Sequence, residues 1–194
     1  MKFGTKVIHS GLKTDSATGA IITPIYQTST YVQKKPGENK GFEYSRTKNP
    51  TRSALEENIA KLENGKFGIC YSSGMGAADA IIKLLKPGDT VVSNNDIYGG
   101  TYRMFEQVFK NFGINFKYGN LTQASNIKST ITDNTKLIWI ETPSNPLMDI
   151  IDIKKIKELV SHREDIIIVV DNTFATPALQ NPLDLGADIV LHSV

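Results

Sequence analysis

From Phe67 onward, short uninterrupted apolar runs alternate with stretches of helical periodicity, and this rhythm restricts the fold more than any other feature of the chain. Ile166–Val170 is five consecutive apolar residues, and Asp188-Ile189-Val190-Leu191 repeats the pattern near the end. Apolar runs without polar alternation fit strands buried on both faces. Alternation with helices then implies an α/β fold, a mostly parallel sheet with helices on both sides. The pattern predicts strands over 67–71, 90–93, 114–118, 136–140, 166–170 and 188–191, with helices over 75–85, 101–111, 153–160 and, shorter, 123–131.

The first 53 residues differ in kind. They are rich in Thr, Ser, Gly and Lys, and Pro24, Pro36 and Pro50 punctuate them without sustained periodicity. A segment of this length without clear elements is unusual inside a compact domain. It is expected to wrap over a neighbour, in this chain or another, and to carry functional groups on loops. Thr51-Arg52-Ser53 opens a helix over Ala54–Glu63, with Leu55, Ile59 and Leu62 on one face and Asn64-Gly65 as its stop.

Bulk properties exclude several classes. The formal net charge is +2, from 22 basic and 20 acidic residues in 194, so nucleic acid and anionic membranes are not indicated as partners. Cys70 is the sole cysteine, which rules out an internal disulfide and suits a reducing compartment. No apolar run approaches membrane-spanning length. A soluble cytoplasmic protein is the expectation, and no metal site is indicated.

Chemistry concentrates where predicted strands end, the side on which open α/β sheets bind ligands. Ser72-Ser73-Gly74-Met75-Gly76 opens a helix with small residues, so free amides and the positive dipole end can meet a phosphate. A tight turn holding nothing has the same sequence. No Gly-Lys-Ser/Thr follows, and Asp79 stands where a dinucleotide fingerprint needs its third glycine. Asp96-Ile97-Tyr98-Gly99-Gly100-Thr101 could hold an aromatic ring against a flat ligand, or could be plain turn chemistry. In Glu141-Thr142-Pro143-Ser144-Asn145-Pro146 the two prolines stiffen the loop that presents Glu141 and Asn145, although a turn bond is an equal use for Asn145. Asp171, behind five apolar residues, is expected to be desolvated and to need a cation partner, unless it serves as a cap or backbone acceptor.

Taken together these stretches resemble the cysteine/methionine-metabolism enzymes that depend on pyridoxal 5′-phosphate, the cystathionine γ-lyase and γ-synthase group. The matching segments are Phe42–Thr51 (FEYSRTKNPT), Ser73-Gly74-Met75, Asp96–Thr101, Glu141–Pro146, Val170–Phe174, Leu185–Asp188 and His192-Ser193, in the family's order. The resemblance implies the large domain of the aspartate-aminotransferase type, fold type I of the pyridoxal-phosphate-dependent transferases. Residues 1–53 would be an arm contacting the neighbouring subunit, and 54–194 the cofactor-binding domain.

It also implies roles. Ser73 and the amides of Gly74 and Met75 would hold the cofactor phosphate, joined by Ser193. Tyr44 and Arg46 would reach the phosphate of an adjacent subunit, making a homodimer the smallest unit with a site and a homotetramer the expected assembly. Tyr98 would stack on the pyridine ring and assist proton transfer at the leaving group. Asn145 would bond the phenolic oxygen, and Asp171, with Thr173 beside it, would pair with the ring nitrogen. The implied reaction is γ-elimination or γ-replacement on cystathionine, another sulfur amino acid or an activated homoserine. Gly100 stands where methionine γ-lyases carry a cysteine, which points away from that branch. In the family a threonine and then the lysine that tethers the cofactor's aldehyde follow one residue after the last serine. Here Ser193 is followed by Val194 alone, so the expectation is the N-terminal part of a longer enzyme, inactive and poorly soluble as residues 1–194. A remnant that binds only phosphate or a partner subunit is the alternative.

Overall fold

A computed structural model describes residues 1–194, which divide into two compact units, Met1–Cys70 and Tyr71–Val194. In the second unit five strands form one sheet: β1 Thr90–Asn94, β2 Asn115–Gly119, β3 Thr135–Glu141, β4 Ile167–Asp171 and β5 Ile189–Leu191. Their order is β2-β1-β3-β4-β5, and every pairing is parallel. The expected α/β architecture is present.

Apolar residues cover both faces of the sheet, which is why β3 and β4 read as continuous apolar runs. On one face Val91, Leu137, Trp139 and Val169 pack against Ala78 and Ile82 of helix α3 (Gly74–Ile82) and against Met104 and Phe105 of helix α4 (Gly99–Gln107). Phe105 stacks on Phe116 at 4.6 Å and meets Trp139 edge-on at 5.5 Å. On the other face Val92, Ile138, Ile140, Ile168 and Val170 pack against Ile127 of the short helix α5 (Ile127–Thr130) and Ile153 and Ile156 of helix α6 (Ile153–Leu159). Asp152 caps α6, its Oδ1 accepting the Lys155 amide at 2.9 Å. A further short helix, α7, spans Thr176–Leu179.

The first unit contains two helices, α1 (Phe3–His9) and α2 (Pro50–Leu62), and an antiparallel bridge between Thr30 and Tyr44. The longer helix starts at Pro50 because Asn49 caps it, the side chain accepting the Thr51 amide at 2.9 Å. Its buried residues are Ala60 and Leu62, whereas Leu55 is exposed, so the expected apolar face is only partly realised.

Residues 67–71 are not a strand. Their backbone lies against the Pro50–Leu62 helix instead: the Cys70 amide donates to Glu56 Oε1 at 3.1 Å, and a Cβ on Gly68 would fall 2.1 Å from the Glu56 carbonyl oxygen. Phe67 and Ile69 are left exposed. The remaining predicted elements are present with ends shifted by a few residues. The Phe3–His9 and Thr176–Leu179 helices, too short for periodicity to mark, were not expected.

Candidate active site

In this strand order the chain leaves β1 for β2 on one side and returns to β3 on the other. The crevice at the carboxyl ends of β1 and β3 is therefore the switch point of the sheet, the place where such folds bind ligands. A cavity of about 420 Å³ opens at this end of the sheet, with walls from the loops after β1, β3, β4 and β5 and from the start of α3.

The α3 end is a helix start with two open donors. Ser73 is the N-cap, its Oγ accepting the Gly76 amide at 3.0 Å, and the first intrahelical bond runs from the Ala77 amide to the Ser73 carbonyl at 3.1 Å. The amides of Gly74 and Met75 have no partner within the chain, as expected for the first positions of a helix. Gly74 has to be glycine here, because a Cβ would sit 2.6 Å from Ser193 Cβ and 2.8 Å from its Oγ. The close approach brings the Ser193 hydroxyl beside the two open amides.

From Ser193 a bonded line runs to the acid at the end of β4. The Ser193 amide donates to Thr173 Oγ1 at 3.0 Å, and Thr173 donates through both its hydroxyl (2.5 Å) and its amide (3.1 Å) to Asp171 Oδ1. Both bonds fall on one oxygen, leaving the other for a donor in the cavity. Asp171 is only 8% exposed, and burial pushes its carboxyl above the usual range, against the opposing pull of the Thr173 bonds and His192.

Glu141 ends β3 directly opposite Asp171 in the sheet register. It is also buried, and its carboxyl is pushed up to about 7, first by desolvation and then by the neighbouring charges of Asp171 and Asp96. Its Oε2 accepts the Tyr98 amide at 2.8 Å. Tyr98 stands at the N-terminus of α4 with its ring folded over Gly100, whose Cβ would lie 2.4 Å from Tyr98 Cε1. Asn145 follows in the loop after β3, held between the cis bonds Thr142-Pro143 and Asn145-Pro146.

Ser73, Gly74, Met75, Tyr98, Asn145, Asp171, Thr173 and Ser193 thus all line one cavity. Tyr44 and Arg46 do not; they belong to the first unit, where the Arg46 guanidinium lies 4.7 Å over the Tyr44 ring. Sequence reasoning singled out Glu141 as a presented group but gave it no role, and it passed over Thr101 and Phe174, which also face the cavity. The signal for Glu141 was available, since it ends the apolar run of β3 as Asp171 ends that of β4.

The family profile described as Cys/Met metabolism PLP-dependent enzyme matches residues 4–194. Cystathionine beta-lyase of Coxiella burnetii is 50% identical over 190 residues, covering 97% of this chain and 49% of that protein. Cystathionine gamma-lyase of Dictyostelium discoideum is 48% identical over 194 residues, covering 100% and 50% respectively. Among solved structures, metB from Corynebacterium glutamicum superimposes with a TM-score of 0.96 at 47% identity, covering 99% of this chain and 50% of that one. The chain spans about half the length of these relatives. The chain belongs to the Cys/Met metabolism PLP-dependent enzyme family, whose cofactor is pyridoxal 5′-phosphate.

Proposed function

We propose that this protein works as a trans-sulfuration enzyme, catalysing γ-elimination or γ-replacement on cystathionine or an activated homoserine. The observation that carries the reading is the make-up of one cavity: a helix start with two open amides and a hydroxyl at one end, a buried carboxylate at the other. That donor set fits pyridoxal phosphate, an anionic phosphate on a flat ring whose nitrogen can carry a proton. The Gly74 contact with Ser193 supports the fit, since any side chain would fill the cradle.

In this reading the amides of Gly74 and Met75 and the Ser193 hydroxyl bind the phosphate, where the helix dipole favours negative charge. Asp171 keeps the ring nitrogen protonated, and that pairing offsets the cost of burying its charge. Thr173 fixes the Asp171 carboxylate in orientation. Tyr98 covers the ring face and offers its phenol for proton transfer at the departing sulfur, and Asn145 donates to the phenolic oxygen. When bound, the cofactor supplies a ring that accepts negative charge from the substrate carbon bearing the amine. Tyr44 and Arg46, the latter exposed, would reach the phosphate of a neighbouring subunit in a homodimer, and two dimers would form a tetramer.

Relatives named for β-lyase, γ-lyase and γ-synthase activities are all close to half identical to this chain. The test is to incubate the purified full-length protein and cofactor with cystathionine. γ-Cleavage releases cysteine and 2-oxobutyrate, and this is the expected outcome. Homocysteine with pyruvate would move the reading to β-elimination. No 2-oxo acid from cystathionine or from an acylated homoserine would refute it.

A further inference from the structure

The loops after β1 and β3 are cross-tied by side chains to which the cofactor reading gives no part. Asn94 Oδ1 accepts the Glu141 amide at 3.0 Å, and Asn94 Nδ2 donates to the carbonyls of Asp96 and Glu141. Asp96 Oδ2 accepts the Ser144 hydroxyl and, at 2.9 Å, the Leu147 amide. Within this frame one carboxyl serves both ring-facing residues. Glu141 Oε2 takes the Tyr98 amide at 2.8 Å, and the Asn145 amide also favours its ionised form.

A carboxyl is an expensive group at this position. Glu141 is 5% exposed, and it faces Asp171 on the adjacent strand and Asp96 in the loop after β1. A hydrocarbon of similar volume would avoid the desolvation. The Tyr98 side chain, by contrast, rests over Gly100 with 46% of its surface exposed and makes no side-chain bond at the start of α4. Besides the packing over Gly100, its position is set through its backbone, whose carbonyl accepts the Tyr102 amide at 3.1 Å and whose amide is held by Glu141.

We propose that Glu141 is a positioning residue for the cofactor ring, acting through its bond to the Tyr98 amide. The proposal rests on the reading of Tyr98 as the residue that covers the ring. The assay is equilibrium binding of pyridoxamine 5′-phosphate to the apoprotein, because its amine cannot condense with a lysine and the readout is independent of turnover. Glu141→Leu should weaken binding about tenfold or more, the scale of one hydrogen bond to a charged or polar buried group. Glu141→Gln keeps an acceptor for the Tyr98 amide and should restore affinity to within about threefold. Tyr98→Ala should weaken binding by itself, and adding Glu141→Leu to it should cost less than about twofold more, since coupled residues are not additive. Far-UV circular dichroism checks folding, and Glu141→Ala replaces the leucine variant if that one is misfolded.

Equal losses in Glu141→Leu and Glu141→Gln would assign the effect to charge and overturn the proposal. Full affinity in Glu141→Leu beside a loss in Tyr98→Ala would overturn it while leaving the ring contact of Tyr98 intact. Full affinity in Tyr98→Ala would remove that ring contact, and the role of Glu141 with it.

Discussion

In residues 71–194 the side chains that fix the fold are apolar and meet across a sheet, whereas in residues 1–70 they are polar and reach for backbone. The second unit buries Phe105, Trp139, Leu137, Ile138 and Ile168 completely or nearly so. The first unit buries few apolar side chains, among them Ala60 and Leu62, and leaves Ile21, Ile22, Ile25, Val32 and Phe67 exposed. Its order comes from groups such as Asn58, which donates to the carbonyls of Val7 and Ser10 at 3.1 and 2.8 Å. Thr51 and Asn49 likewise bond the carbonyls of Pro24 and Tyr26 at 3.0 and 3.1 Å. The lesson is that a packed sheet carries the precise constellation of the cavity, while the first unit presents its groups on a lighter, polar scaffold.

Removing a core ring should give the largest effect. Phe105→Ala is expected to cost about 3–5 kcal/mol of global stability in denaturant unfolding. Asn58→Ala, at about 1–2 kcal/mol, should appear mainly as faster amide exchange in residues 1–12. Comparable global losses from both would erase the contrast between the units.

A smaller effect comes from the cavity itself. A glutamate titrates near 4.5 in the unfolded chain, and the Glu141 carboxyl titrates near 7 in the fold. Between those values the folded state holds the extra proton, so its contribution is full below 4.5 and is lost as pH rises through 7. Asp171, raised in the same direction, adds to the trend. Without cofactor, the unfolding free energy should therefore fall between pH 5 and 8 by about 1–2 kcal/mol more in the wild type than in Glu141→Gln, the cavity being open to solvent screening. Parallel pH curves would contradict the assignment. The smallest expected change is Asp152→Ala, about 1 kcal/mol for a lost helix cap, read as fraying of the Ile153–Leu159 helix.

The same contrast explains what could be read from the sequence. Buried parallel strands announce themselves as apolar runs, so the sheet and the positions of Asp171, Tyr98, Asn145 and Ser193 at strand ends were legible. The apolar alternation of residues 67–71 misled, because strand patterning does not reveal that the Cys70 amide and Gly68 are taken up by the Pro50–Leu62 helix. Polar side chain-to-backbone bonds leave no periodic trace, so the organisation of residues 1–49 was not visible. The role of Glu141 was hidden for a related reason: it depends on which amide the carboxyl meets across the crevice.

In the proposed function the loops at the sheet's carboxyl end grip a phosphorylated pyridine, with Asp171 on its ring nitrogen. The most direct test is the affinity of the apoprotein for pyridoxamine 5′-phosphate with and without Asp171→Ala. Loss of a buried ion pair of about 3–5 kcal/mol predicts at least a hundredfold weaker binding in the variant. Equal affinity in the two proteins would rule out Asp171 as the partner of the ring nitrogen.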